Sequence, residues 1–127
     1  MRAILCGANG AMGKLISEIL ADEVVGKVSV DGENGVPRTF AELGNMEADV
    51  VIDFSHHTAA ADVLAYARAN HCAAVIGTTG HTEEEKSMIY TAAREIPVFF
   101  SGNMSLGIAL LCRLAKQAAA AFPDADI

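Results

Sequence analysis

The feature that most constrains this chain is a regular alternation of short apolar runs with amphipathic stretches. Residues 3–6, 49–54, 72–76 and 97–100 are brief, apolar and mostly rich in β-branched or aromatic side chains. Such runs, lacking the polar alternation of a half-solvated strand, read as strands buried on both faces. Each closes on a loop, and each loop leads into a helical pattern. The loops are Gly7-Ala8-Asn9-Gly10-Ala11-Met12-Gly13, Asp53-Phe54-Ser55, Gly77-Thr78-Thr79-Gly80 and Asn103-Met104-Ser105-Leu106-Gly107. Strands alternating with helices along the whole chain predict an α/β fold, a doubly wound parallel sheet with helices on both faces. In such sheets ligands bind beyond the carboxyl ends of the strands, where the strand order reverses.

The helices follow from spacing and caps. Met12, Leu15, Ile16, Ile19 and Leu20 form one apolar stripe after the first loop. Gly26 is expected to close that helix, with residues 27–31 as the second strand and Asp31 at its end. The turn-rich stretch 32–37 leaves room for at most a brief third strand near Val36, and residues 39–43 read as a short helix. Residues 58–70 predict a helix facing inward through Val63, Leu64 and Ala67. Thr82 and Glu85 form a capping box for a helix running to about Glu95 and burying Ile89, Ala92 and Ala93. Ser105 can cap a last helix with Ile108, Leu111, Cys112, Ala115, Ala119 and Phe122 on one stripe, stopped by Pro123.

Composition narrows the class. In 127 residues, 52% hydrophobic and 20% charged, there is enough apolar material for one core and no sign of disorder. A net charge of -7 argues against a surface that tracks nucleic-acid phosphates. It leaves a dinucleotide open, because backbone amides at a helix start can hold a pyrophosphate. Cys6, Cys72 and Cys112 are scattered and form no Cys-x-x-Cys pair, so buried reduced thiols are expected and no metal site. No signal-peptide pattern opens the chain, and no apolar run reaches the roughly 20 residues of a membrane span. The expected location is the cytoplasm, with neither membrane nor nucleic acid as partner.

The first loop reads Gly-x-x-Gly-x-x-Gly, with Ala8 where the commoner fingerprint has a glycine. A side chain at Gly7 or Gly10 would obstruct the turn or a ligand, and one at Gly13 would push the helix off the sheet. The same loop can also be a ligand-free strand–helix turn. Asp31 can accept both ribose hydroxyls of an adenosine, which favours NADH slightly over NADPH, although Arg38 can swing in from the connector. It can equally be a turn former. Thr78 and Thr79 present hydroxyls at the sheet mouth, and Asn103 offers an amide suited to a carboxamide such as that of nicotinamide. His56 and His57, adjacent in sequence, make a poor chelating pair and are expected to be structural or to line the cleft.

Together these motifs resemble the 4-hydroxy-tetrahydrodipicolinate reductase (dihydrodipicolinate reductase) family. Its amino-terminal half carries Gly-x-x-Gly-x-Met-Gly, Asp-Phe-Ser/Thr, Gly-Thr-Thr-Gly and Asn-aromatic/Met-Ser-x-Gly in this order. The resemblance implies a Rossmann-like domain over residues 1–127, with a carboxy-terminal substrate and catalytic domain lying outside it. It implies that Gly7, Ala8, Asn9, Gly10, Ala11 and Met12 bind a pyrophosphate and Asp31 the adenosine ribose. Phe54 and Ser55 would line the cleft, and Gly77, Thr78, Thr79, Ser101, Gly102, Asn103 and Met104 would surround the nicotinamide. The implied reaction is hydride transfer from NADH or NADPH to a cyclic dicarboxylate on the diaminopimelate route to lysine, in a homotetramer.

Two departures stand out. His57 replaces a proline frequent in the family, and the Glu-x-x-His-His-x-x-Lys-x-Asp-x-Pro-Ser-Gly-Thr run does not occur here. The chain is therefore expected to bind cofactor without turnover, to hold no catalytic residue of its own, and to expose part of the apolar helix 108–122. Alternatives are a stand-alone NAD(H) sensor, the nucleotide domain of another two-domain dehydrogenase, and a coenzyme A-binding domain.

Overall fold

The computed structural model describes residues 1–122. Five strands, β1 (Ala3–Cys6), β2 (Val24–Val28), β3 (Val50–Asp53), β4 (Ala73–Ile76) and β5 (Val98–Phe100), form one sheet in the order β2-β1-β3-β4-β5. Every pairing is parallel. The helices are α1 (Ala11–Leu20), α2 (Phe40–Leu43), α3 (Ala60–Ala69), α4 (Glu83–Ala92) and α5 (Leu106–Ala121). The sheet is that of a Rossmann-like α/β domain. α2, α3 and α4 touch in succession and cover one face. The right-handed crossover from β1 to β2 puts α1 on the other.

Register explains why the loops converge. Cys6 pairs with both Val28 and Asp53, Asp53 with Ile76, and Ile76 with Phe100. All five strands thus end on one line across the sheet. The residues that follow four of them (Gly7, Phe54, Gly77 and Ser101) leave it side by side. The order reverses between β1 and β3, the switch point at which such sheets bind ligands.

The core behind that line is apolar. Ile4, Val51, Val63, Ala67, Cys72, Ala74 and Ile96 form one buried cluster, and Leu64, Ile76, Ile89 and Ala92 form a second. Tyr66 stacks on Phe40, and its hydroxyl accepts from the Met46 amide, tying the segment around α2 to α3.

Several expectations need correction. β2 begins at Val24, so Gly26 lies inside a strand and closes no helix. α1 stops at Leu20 and a short 3-10 turn, Ala21–Glu23, feeds the strand. Gly26 has a tertiary cause: a Cβ there would stand 3.1 Å from both Ile4 and Met46 side chains. Asp31 consequently sits in the connector beyond β2. No strand forms near Val36; only the Ser29 amide bonding to Pro37 O, at 2.8 Å, runs alongside β2. α3 starts later than expected, after a 3-10 turn His57–Ala59, and α4 ends at Ala92. Ala93 is exposed and Ile96 takes the core position beyond the helix end. On α1 only Gly13 is buried, while Met12, Leu15 and Ile19 are exposed. None of α5 is buried, and Cys112 on it is exposed, unlike Cys6 and Cys72. The exposure expected for part of this helix runs along its length. Pro123, the expected helix stop, lies outside the described residues.

Candidate cofactor site

The glycine loop is built by close approach to its neighbours. Gly7 turns at φ +81°, and a Cβ there would come within 2.6 Å of Phe54 O, across the gap between β1 and β3. Only glycine combines that dihedral with that contact. A Cβ on Gly13 would fall within 2.1 Å of Gly7 O, so the first turn of α1 lies directly on the loop. Gly10 is less crowded, with 3.2 Å to the same oxygen. The amides of Gly7 and Ala8 are both spent on Val28 O.

The start of α1 differs from the other long loop-fed helices. Gly10 is its N-cap, no side chain caps it, and no acid stands in its first turn. α4 has its Thr82–Glu85 box and three glutamates there, and α5 is capped by Ser105. The open amides and the positive end of the helix dipole of α1 therefore face the switch point with no acceptor supplied by the chain.

Across from it, Asn9 Nδ2 donates to Asp31 Oδ1 at 2.5 Å and the Glu33 amide donates to the same oxygen at 3.0 Å. These bonds, the Glu33 amide first, hold the Asp31 carboxyl below its ordinary range. Arg38 folds over Gly32, and its Nη2 lies 3.4 Å from Asp31 O. A cavity of about 260 Å³ opens between these groups, walled by Gly7, Gly10, Asp31, Arg38, Phe54 and Ser55 among others.

A second cavity, also about 260 Å³, lies between the loops after β3 and β4. Phe54, Ser55, His56, Gly77, Thr78 and Thr79 line it. Gly77 is glycine because the Phe54 ring occupies the place of a side chain, 2.3 Å from a would-be Cβ. Asp53, fully buried, organises both banks: its carboxyl accepts from the Ser55 amide at 3.0 Å, Ser55 Oγ at 2.5 Å and Thr78 Oγ1 at 2.9 Å.

The family model described as dihydrodipicolinate reductase, N-terminus, matches residues 1–104. The chain belongs to the dihydrodipicolinate reductase family. Its relatives include the 4-hydroxy-tetrahydrodipicolinate reductases of Caldanaerobacter subterraneus, 40% identical over all of this chain and 53% of the relative, and of Akkermansia muciniphila, 40% identical over 91% and 46%. That of Campylobacter concisus is 37% identical over 97% and 52%. The chain spans about half the length of the curated relatives it matches.

Within this family member, the residues singled out by sequence fall into three groups. Gly7, Gly10 and Asp31 line the first cavity and Asn9 bonds to Asp31, whereas Ala8, Ala11 and Met12 do not line it; Phe54 and Ser55 line both cavities. Gly77, Thr78 and Thr79 form the far bank of the second. Ser101, Gly102, Asn103 and Met104 sit beside it without lining it; a Cβ at Gly102 would be 3.5 Å from Thr79. Their polar groups bond mainly among themselves, Asn103 Oδ1 accepting from the Ser105 amide at 2.8 Å. Sequence reasoning missed Ser29, Thr39, Phe40 and Ala59 as cavity walls. In the sequence only Asp31, the turn-rich stretch 32–37 and Arg38 marked that region. His56 lines both cavities, as one of the two roles open to it. Among the described residues no three His, Cys, Asp or Glu side chains converge as a metal ion requires, and no helix is long and apolar enough to cross a membrane.

Proposed function

We propose that this chain is the nicotinamide-dinucleotide-binding part of a dihydrodipicolinate reductase. The observation that carries the reading is the uncapped start of α1 at the switch point, opposite a carboxylate pinned by Asn9. A pyrophosphate is the acceptor that the open amides lack; Gly7 and Gly13 let the loop and α1 close up on each other, and Gly10, the least crowded of the three, leaves the helix start open to it. Asp31, already aimed by two donors, accepts from ribose hydroxyls and repels a 2'-phosphate, which favours NADH over NADPH. Arg38 stands close enough to moderate that preference. The second cavity takes the nicotinamide end, with Phe54 and Ser55 on one bank and Gly77, Thr78 and Thr79 on the other. Ser101, Gly102, Asn103 and Met104 border it.

The bound cofactor supplies hydride for an unsaturated cyclic dicarboxylate, the substrate class of the relatives' named activity. This chain's residues hold the dinucleotide and aim its ring; substrate contacts and the proton come from residues outside it, as does the tetramer contact surface. The isolated 127-residue chain accordingly binds cofactor without turnover.

Fluorescence titration with NADH and NADPH tests this. NADH is expected to bind more tightly than NADPH, and Asp31→Ala to weaken NADH by about tenfold while strengthening NADPH, whose 2'-phosphate no longer meets a carboxylate. Absence of saturable binding by either cofactor would defeat the reading.

A further inference from the structure

We propose that the hydrogen-bonded pair of His57 and Glu85 is a positioning device for the second cavity, tying its two banks together so that the nicotinamide end is held at a set width. The inference rests on the dinucleotide reading above and concerns residues to which that reading gives no task.

His57 belongs to the 3-10 turn after β3, and Glu85 to the first turn of α4. Their side chains meet with His57 Nδ1 3.0 Å from Glu85 Oε1 and 2.9 Å from Oε2. The loop from Gly77 to Gly80 leads from β4 towards α4, which carries Glu85. The imidazole lies against it, since a Cβ on Gly80 would stand 3.7 Å from His57 Cδ2. The pair therefore joins the turn that continues one bank to the helix start into which the loop of the other bank runs.

Both ends of the clasp are fixed. Glu85 Oε2 also accepts from the Thr82 amide at 2.8 Å, while Thr82 Oγ1 accepts from the Glu85 amide, so the carboxylate is part of a helix cap. At the other end the His56 ring packs against that of His57, centroids 4.2 Å apart and planes tilted by 39°, and His56 is itself a wall of the cavity. A shift of His57 passes to that wall through its neighbour. The pair is partly shielded, with side chains 26% and 15% exposed, unlike the Lys86–Glu83 pair, where the glutamate is 86% exposed. Shielded charge-assisted hydrogen bonds keep strength that surface pairs lose to solvent.

Three further titratable groups face the clasp. His56 lies on the same turn, Glu84 adjoins Glu85 on α4, and His81 in the loop packs edge-on to His57 at 6.3 Å and to Phe100 at 5.2 Å. The hydrogen bond from His57 is the largest influence holding the Glu85 carboxyl below its ordinary range, followed by the Thr82 amide. The sign follows: the contribution of Glu85 is present above the ordinary carboxylate value. It disappears only as pH falls through the lowered folded value.

Titration of NADH and of ADP-ribose, which lacks the nicotinamide ring, into the 127-residue chain and into its His57→Gln and Glu85→Gln variants tests the proposal. Glutamine at position 85 preserves the cap, so that variant separates positioning from helix stability. Both variants are expected to lose about tenfold in NADH affinity and to keep ADP-ribose affinity within about twofold. In His57→Gln the Glu85 carboxyl, followed by NMR, titrates closer to the ordinary range. Unchanged NADH affinity, or equal losses for both ligands, would overturn the positioning role while leaving the dinucleotide reading intact. Failure of the unsubstituted chain to bind ADP-ribose as well as NADH would remove both.

Discussion

At the scale of single residues, Asp53 carries the heaviest structural burden. Its carboxyl is sealed from water and accepts three hydrogen bonds that join the loop after β3 to the loop after β4. Asp53→Asn puts an NH2 group against hydroxyls already oriented as donors, and is expected to lower unfolding free energy by about 2 kcal/mol. Thr78→Val, which deletes one donor, should cost about 1 kcal/mol. Urea denaturation measures both, and a midpoint unchanged in Asp53→Asn would contradict this account. The glycines at 7 and 13 were legible because their cause, a tight turn feeding a helix, is local. Gly26 was not: the side chains of Ile4, Met46 and Leu43 that would crowd a Cβ there arrive from distant segments. The Asn9–Asp31 and His57–Glu85 bonds were hidden for the same reason, since only the parallel register brings their loops together.

Among the elements, the helix starts divide the labour. α4 is sealed by Thr82 and Glu85, a pattern spanning four residues and so visible in the sequence. Thr82→Ala should cost about 1 kcal/mol, read as a lowered thermal midpoint, because the Glu85 amide loses its acceptor. An unchanged midpoint would mean that water replaces the hydroxyl at no cost. α1 has no such seal, and its glycine cap predicts a start completed by a bound acceptor. Strand existence was readable from apolar runs, but the position of β2 was not. Its start is set by pairing with β1, where Ala3 meets Val24 and Ile4 meets Gly26 across a register shift. The apolar stripe of α1 was legible as a pattern, yet periodicity alone does not say what covers it.

For the whole molecule, the two faces of the sheet are unequally covered. α2, α3 and α4 close one side. On the rest of the surface Met12, Leu15, Ile19 and Phe99 are exposed, and α5 leaves Leu106 87%, Leu111 62% and Leu114 51% accessible. Apolar surface of this extent drives association. The 127-residue chain is expected to self-associate as its concentration rises in analytical ultracentrifugation, and a Leu111→Glu, Leu114→Glu double variant to shift it towards monomer. A single monomeric species at every concentration would refute this. The cysteines give the same helix a practical property. Burial, aided by the neighbouring charge of Asp53, pushes the Cys6 thiol up to about 12, and burial raises that of Cys72 as well. Alkylation proceeds through the thiolate, so at neutral pH those two stay inert while exposed Cys112 reacts. A maleimide dye therefore labels the native chain at one point on α5, a built-in optical reporter of whatever comes to lie on that helix.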